Sequence, residues 1–153
     1  MTEYRSSAAR ALVDLHEREL RAFMTTWHAA QRAGLSLPPS EDPDCASLEA
    51  LLHHVVGCAR GYLDWICEIL ALPVPAATPL PGPEDLARAP GPVIDAVLAA
   101  WRGPLRDVDG RALDRTEARS RWGVTYCVDG MLEHAVMHPL RHRFQLEELL
   151  RAE

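Results

Sequence analysis

The stretch MLEHAVMHPLRHRFQLEELL, Met131 to Leu150, places His134, His138 and His142 four residues apart. Four residues advance a helix by about 400°, so each histidine drifts only about 40° from the last and all three share one stripe. Continued both ways, the stripe reads Cys127, Met131, the histidines, Gln145 and Leu149, apolar at its ends and polar in its middle. The opposite face carries Asp129, Glu133, Arg143 and Glu147 and is expected to face water, which turns the histidines inward. Such a helix cannot stand alone. A buried row of imidazoles needs partners, and a divalent metal is one partner that accepts histidines at i and i+4.

The rest of the chain offers helices to pack against. A first helix is predicted from about Ser6 to Arg32, with Leu12, His16, Leu20, Phe23 and Trp27 at helical spacing, Glu17, Arg18, Glu19 and Arg21 mostly on the other side, and Gly34 as its stop. His16 reads as a hydrogen-bonded histidine at the helix edge. A loop rich in Pro, Ser and Asp follows to Cys45, and Ser47 is a suitable N-cap for a second helix from about Ser47 to Ala71. On that helix Leu51, His54, Cys58, Tyr62 and Trp65 share a buried face. His53, Gly57, Arg60, Asp64 and Glu68 share a polar one. His54 is therefore the inward member of the adjacent pair, and His53 is expected to be solvated.

Seven prolines between Pro73 and Pro92 rule out a persistent helix there and predict a surface connector long enough to cross over the molecule. A third, shorter helix begins near Pro92 or Val93, with Val93, Val97, Leu98 and Trp101 as its apolar stripe, and ends at Gly103 and Pro104. Arg106 to Gly123 is charged and turn-prone without clear periodicity. A fourth helix is predicted from about Val124 to Arg151. No strand alternation or internal repeat is visible. The expectation is one all-α domain over residues 1–153, with four helices in a bundle. Trp27, Trp65, Trp101 and Trp122 are expected to anchor its core.

Composition removes several function classes. The net charge is −6, which leaves no basic footprint for nucleic acid. No segment reaches the roughly 18 apolar residues of a membrane span, and the N-terminus lacks the apolar core of a signal peptide. Cys45, Cys58, Cys67 and Cys127 show no CxxC spacing and are read as reduced thiols of a cytoplasmic protein.

His54 and an HxxxH pair from the last helix can together cap one side of a metal ion and leave positions open, the arrangement of a catalytic rather than a structural site. Imidazoles suit Zn, Ni, Fe or Cu alike. At this level the pair is either His134 with His138 or His138 with His142. Cys58, one turn beyond His54, is either a fourth ligand or a small buried residue.

HPLRHRFQ, His138 to Gln145, resembles the H-x-x-x-H-x-x-Q ending of the DinB-like/YfiT-like superfamily of four-helix bundles. SLEALLHHV, Ser47 to Val55, is similar to that family's second helix, where a ligand histidine stands seven residues after a serine, here at His54. RWGVTYCVDGML, Arg121 to Leu132, resembles its approach to the last helix. The resemblance implies an up-down-down-up bundle, often dimeric, and a metal held by His54, His138 and His142, with Gln145 in its family place. It further implies a low-molecular-weight thiol, mycothiol or bacillithiol, as co-substrate in some members. His134 is an addition to the family pattern. So is Pro139, which should kink the helix and free the Ala135 carbonyl to receive an imidazole N–H.

The expected chemistry is a metal-activated thiol attacking an electrophilic small molecule, with His134 or Tyr62 moving the proton and Arg141 or Arg60 at the cleft rim. The alternative is a non-catalytic metal- or ligand-binding homodimer serving as a stress-response or interaction module, with Val136 and Leu140 at its interface. A hydrolase using metal-bound water would need a carboxylate base, and the last helix offers none on the histidine face.

Overall fold

The computed structural model describes residues 3–152. The chain is predominantly helical. It runs α1 (Ser7–Ala33), a 3-10 turn (Pro43–Cys45), α2 (Leu48–Ile69), α3 (Pro83–Arg88), α4 (Pro90–Trp101), α5 (Gly110–Arg115), β1 (Glu117–Arg119), β2 (Thr125–Cys127) and α6 (Val128–Ala152). Helix α6 packs most extensively on α1 and then on α2, while α2 also meets α3 and α4.

The caps explain the boundaries. Ser6 Oγ accepts the Ala9 amide at 3.2 Å and Ser47 Oγ the Ala50 amide at 3.1 Å, each satisfying an otherwise orphaned donor. Gly34 closes α1 at φ 68°, with its amide on Gln31 O at 3.1 Å and that of Leu35 on Ala30 O at 3.0 Å. The same pattern ends α2, where Leu72 donates to Cys67 O at 2.8 Å. There the left-handed residue is Ala71, at φ 53°, not a glycine.

Three tryptophans tie elements together while filling the core. The indole N–H of Trp27 donates to Leu48 O at 2.7 Å, that of Trp101 to Ala59 O at 3.0 Å and that of Trp65 to Arg119 O at 3.3 Å. Trp122 is different: it stands 48 % exposed, outside the core.

Several expectations are corrected. The proline-rich connector holds a helix after all. Pro83 begins α3, where a missing amide costs nothing, and Leu86 at its centre is fully buried. The connector also covers the polar face of α2, with Leu80 3.6 Å from the position of a Cβ on Gly57, and His53 is half-buried instead of solvated. Residues 117–127 form a small antiparallel hairpin with Glu117 opposite Cys127, so α6 starts at Val128 and not at Val124. The pairs are too few for alternation to show in the sequence.

The back of α6 does not face water, because α1 lies against it. Arg143 reaches the buried Glu19 of α1 at 3.1 Å and Glu147 at 3.0 Å, and only Glu133 among the four charged residues is exposed. Glu19 is accordingly an inner residue of α1. Val136 lies in the interior as well and is not free to form an interface, whereas Met137 and Phe144 are 54 % and 51 % exposed. His16 is 1 % exposed, with neither ring nitrogen hydrogen-bonded among the described residues and its ring centroid 4.2 Å from that of Trp101. It is a core residue and not a satisfied edge. Helix α6 continues through Pro139, and no imidazole donates to the Ala135 carbonyl among the described residues.

Candidate metal centre

Helix α2 presents His54 and α6 presents His138 and His142, and one ring nitrogen from each lies within 4.8 Å of the others. Nε2 of His54 and Nε2 of His138 are 3.0 Å apart. Nitrogens on neighbouring positions of one ion, with bonds of roughly 2.0–2.1 Å, sit about 3 Å apart, so this spacing suits a shared metal. His138 and His142 are each 5 % exposed, while the His54 side chain, at 24 %, borders the open side.

The remaining ring nitrogens show how the donors are aimed. His142 Nδ1 lies 2.8 Å from Gln145 Oε1, an acceptor for an Nδ1–H, which leaves Nε2 as a lone pair. That Nε2 is buried and has no hydrogen-bond partner among the described residues. A buried acceptor without a donor is costly, and a cation is the partner it lacks. His54 Nδ1 lies 2.9 Å from Asp44 Oδ2, which likewise directs its Nε2 inward. His138 Nδ1 is buried without a partner.

Electrostatics keep the two α6 histidines in the form a metal requires. Burial lowers the pKa of His138 and of His142, with further lowering by the neighbouring imidazoles and Arg141. Both are neutral at pH 7 and have lone pairs to offer. These residues therefore fit a divalent ion.

The other candidates surround this trio. His134 is not a member of it. Its half-buried ring stacks on Trp122, with centroids 5.3 Å apart, and meets Tyr62 edge-on at 5.2 Å. Tyr62 in turn meets His138 at 5.6 Å, so an aromatic wall adjoins the centre. Burial lowers the His134 pKa and raises that of Tyr62. Cys58 Sγ lies 3.8 and 3.9 Å from the two nitrogens of His54 but does not converge with the trio, and burial raises its thiol pKa. All four cysteines are free.

On the outer side, His134, Met137, His138, Leu140, Arg141, Phe144, Gln145 and Glu148 line a cleft of about 370 Å³. Arg141 forms no ion pair among the described residues. Arg60 is not part of this cleft. It lines a separate one of about 300 Å³ against the connector and α4.

Sequence reasoning missed Asp44 and Trp122. Asp44 stands in the loop between the first two long helices, and Trp122 sits between the two strands of the hairpin. An acidic loop just before a helix carrying an inward histidine is the one signal that could have found Asp44, though it does not say which carboxylate turns inward.

Fold and site define a predominantly helical protein with a three-histidine centre able to hold a metal ion. Comparison of the chain with family models, with curated proteins and with solved structures gave no match, so its function is read from the site. Among the described residues no helix is long and apolar enough to cross a membrane.

Proposed function

We propose that the chain is a divalent-metal-dependent enzyme of the DinB-like type, in which α1, α2, α4 and α6 are the four helices of an up-down-down-up bundle. The observation that carries this reading is the convergence of His54, His138 and His142 from two helices, with two of the three oriented by hydrogen bonds from behind. Zinc, nickel or iron held there would lower the pKa of a bound thiol such as mycothiol or bacillithiol.

The chain's own residues supply the rest. His134, kept neutral by burial, accepts the thiol proton. Tyr62, whose raised pKa keeps its hydroxyl protonated, packs edge-on against the His134 ring and holds it in place. Sulfur then forms a bond to an electrophilic carbon, whose leaving group departs with the bonding electrons. Arg141, without a carboxylate of its own, suits an anionic group on the substrate, and the exposed Met137 and Phe144 suit its apolar body. A cytoplasmic location fits the free thiols.

The second reading is a non-catalytic homodimer in which a metal or small ligand stabilises an interaction module. The exposed Met137 and Phe144, beside half-buried Leu140, are what favour it. Metal content of the purified protein, measured by plasma mass spectrometry beside His138→Ala, is the first test. About one equivalent in the wild type and none in the variant is expected. Thiol-transfer assays with an electrophilic acceptor then separate the readings. A loaded protein that consumes no thiol with any acceptor refutes the enzyme and leaves the module.

A further inference from the structure

We propose that Asp44 is a positioning residue for the metal centre: its carboxylate holds the His54 imidazole with Nε2 aimed at the ion. This rests on the three-histidine reading above and adds a role for a residue outside the trio.

The local sequence explains why Asp44 stands where it does. Asp42 caps the 3-10 turn, its side chain accepting the Asp44 amide at 3.0 Å and its carbonyl the Cys45 amide at 3.0 Å. Pro43 sits at the first helical position, where its fixed φ suits the turn. The turn packs on α2, two residues before the Ser47 cap that starts that helix. Asp44 is thereby fixed over the first turns of α2, and its Oδ2 reaches His54 Nδ1 at 2.9 Å. That distance is in the range of a charge-assisted bond.

Two consequences follow for the ion. An Nδ1–H donated to a carboxylate fixes the tautomer, so the lone pair must be on Nε2, the atom 3.0 Å from His138 Nε2. A negative partner also makes the imidazole a better donor. Gln145 gives His142 the orientation without the charge. His54 is the most exposed of the three ligands, so packing holds it least and an outside anchor matters most there. Asp44 is itself not a ligand, since its oxygens do not join the convergent group. At 54 % side-chain exposure it also contributes little to the core, and its replacement is expected to leave the fold intact.

The test compares the full-length wild type with Asp44→Ala and Asp44→Asn. Affinity for zinc and cobalt is measured by competition with a chromophoric chelator. The d–d absorption of the cobalt form reports ligand geometry, and denaturant unfolding of the metal-free proteins controls for stability. Removing a carboxylate behind a metal-bound histidine costs about 10–100-fold in affinity, so Asp44→Ala is expected to bind in that range more weakly, with an altered cobalt spectrum. Asp44→Asn keeps an acceptor without the charge and should retain the spectrum while losing part of the affinity. Equal affinity and identical spectra in all three proteins overturn the role of Asp44 and leave the histidine trio standing. A lowered unfolding midpoint without a spectral change overturns it too, by making Asp44 merely structural. A wild type that takes up neither metal overturns the three-histidine reading and this inference with it.

Discussion

Acid should destabilise this protein through a residue outside the candidate metal centre. His16 lies 1 % exposed in the core, against the Trp101 ring, with neither nitrogen hydrogen-bonded among the described residues. Burial holds its pKa down to about 4, opposed by the nearby Glu17, against an ordinary value of 6.5. The unfolded chain therefore binds a proton at His16 between pH 6.5 and about 4, and the folded chain does not. Unfolding is favoured by each decrement of pH in that window. The stability tied to neutral His16 is fully present above pH 6.5 and lost as pH falls toward 4. At about 1.36 kcal/mol per pH unit, the loss is about 3 kcal/mol, a large share of the ~5–15 kcal/mol that holds a domain together. Denaturant unfolding of metal-free protein at pH 7.5 and pH 4.0, for the wild type beside His16→Phe and His16→Leu, isolates this contribution. Contributions from all other groups are common to the three proteins and cancel in the comparison. The variants should lose about 3 kcal/mol less than the wild type across the interval. Equal losses in wild type and both variants would refute the reasoning.

Other outcomes are equally definite. Ala71 sits at φ 53°, where an L-residue costs about 1–2 kcal/mol and glycine costs little beyond its extra freedom when unfolded. Ala71→Gly should therefore raise stability by about 0.5–1 kcal/mol, read as a higher denaturation midpoint at unchanged slope. Trp27→Phe removes the indole N–H that donates to Leu48 O at 2.7 Å and leaves a gap between α1 and α2. A loss of about 1–3 kcal/mol by the same measurement is expected. Zinc at a free concentration of one hundred times its dissociation constant should stabilise the wild type by about 2.7 kcal/mol. His142→Ala should abolish that gain in a thermal melt, and a gain of equal size in both proteins removes His142 from the site.

The two-helix origin of the centre was legible in the sequence because helical spacing fixes which residues share a face. The face argument on α2 separated His54 from His53, and the four-residue interval on α6 brings His134, His138 and His142 to one side, while the choice of His138 with His142 rests on the family resemblance and not on spacing. What spacing does not reveal is which neighbour covers which face. The charge of Arg143 predicts a solvent-facing side chain, but α1 brings Glu19 to it. His16 is expected to be hydrogen-bonded because buried polar groups generally are, and the structure gives it no partner among the described residues. The hairpin carrying Trp122 was invisible because each strand is only three residues long, too short for a period to register. Asp44 was missed for a related reason: a loop has no periodicity from which the direction of a side chain can be read.

The separation of 84 positions between His54 and His138 would give metal capture two grades. His138 and His142 are neighbours within a single helix, so a chain that has formed only α6 already presents two imidazoles to an ion. The third arrives only when the two ends of this long stretch of polypeptide have met. Bidentate capture thus demands local order, and tridentate capture demands the completed topology. The dwell time of an ion offered to the chain would then be a clock for assembly: brief while only the last helix exists, long once α2 has docked beside it.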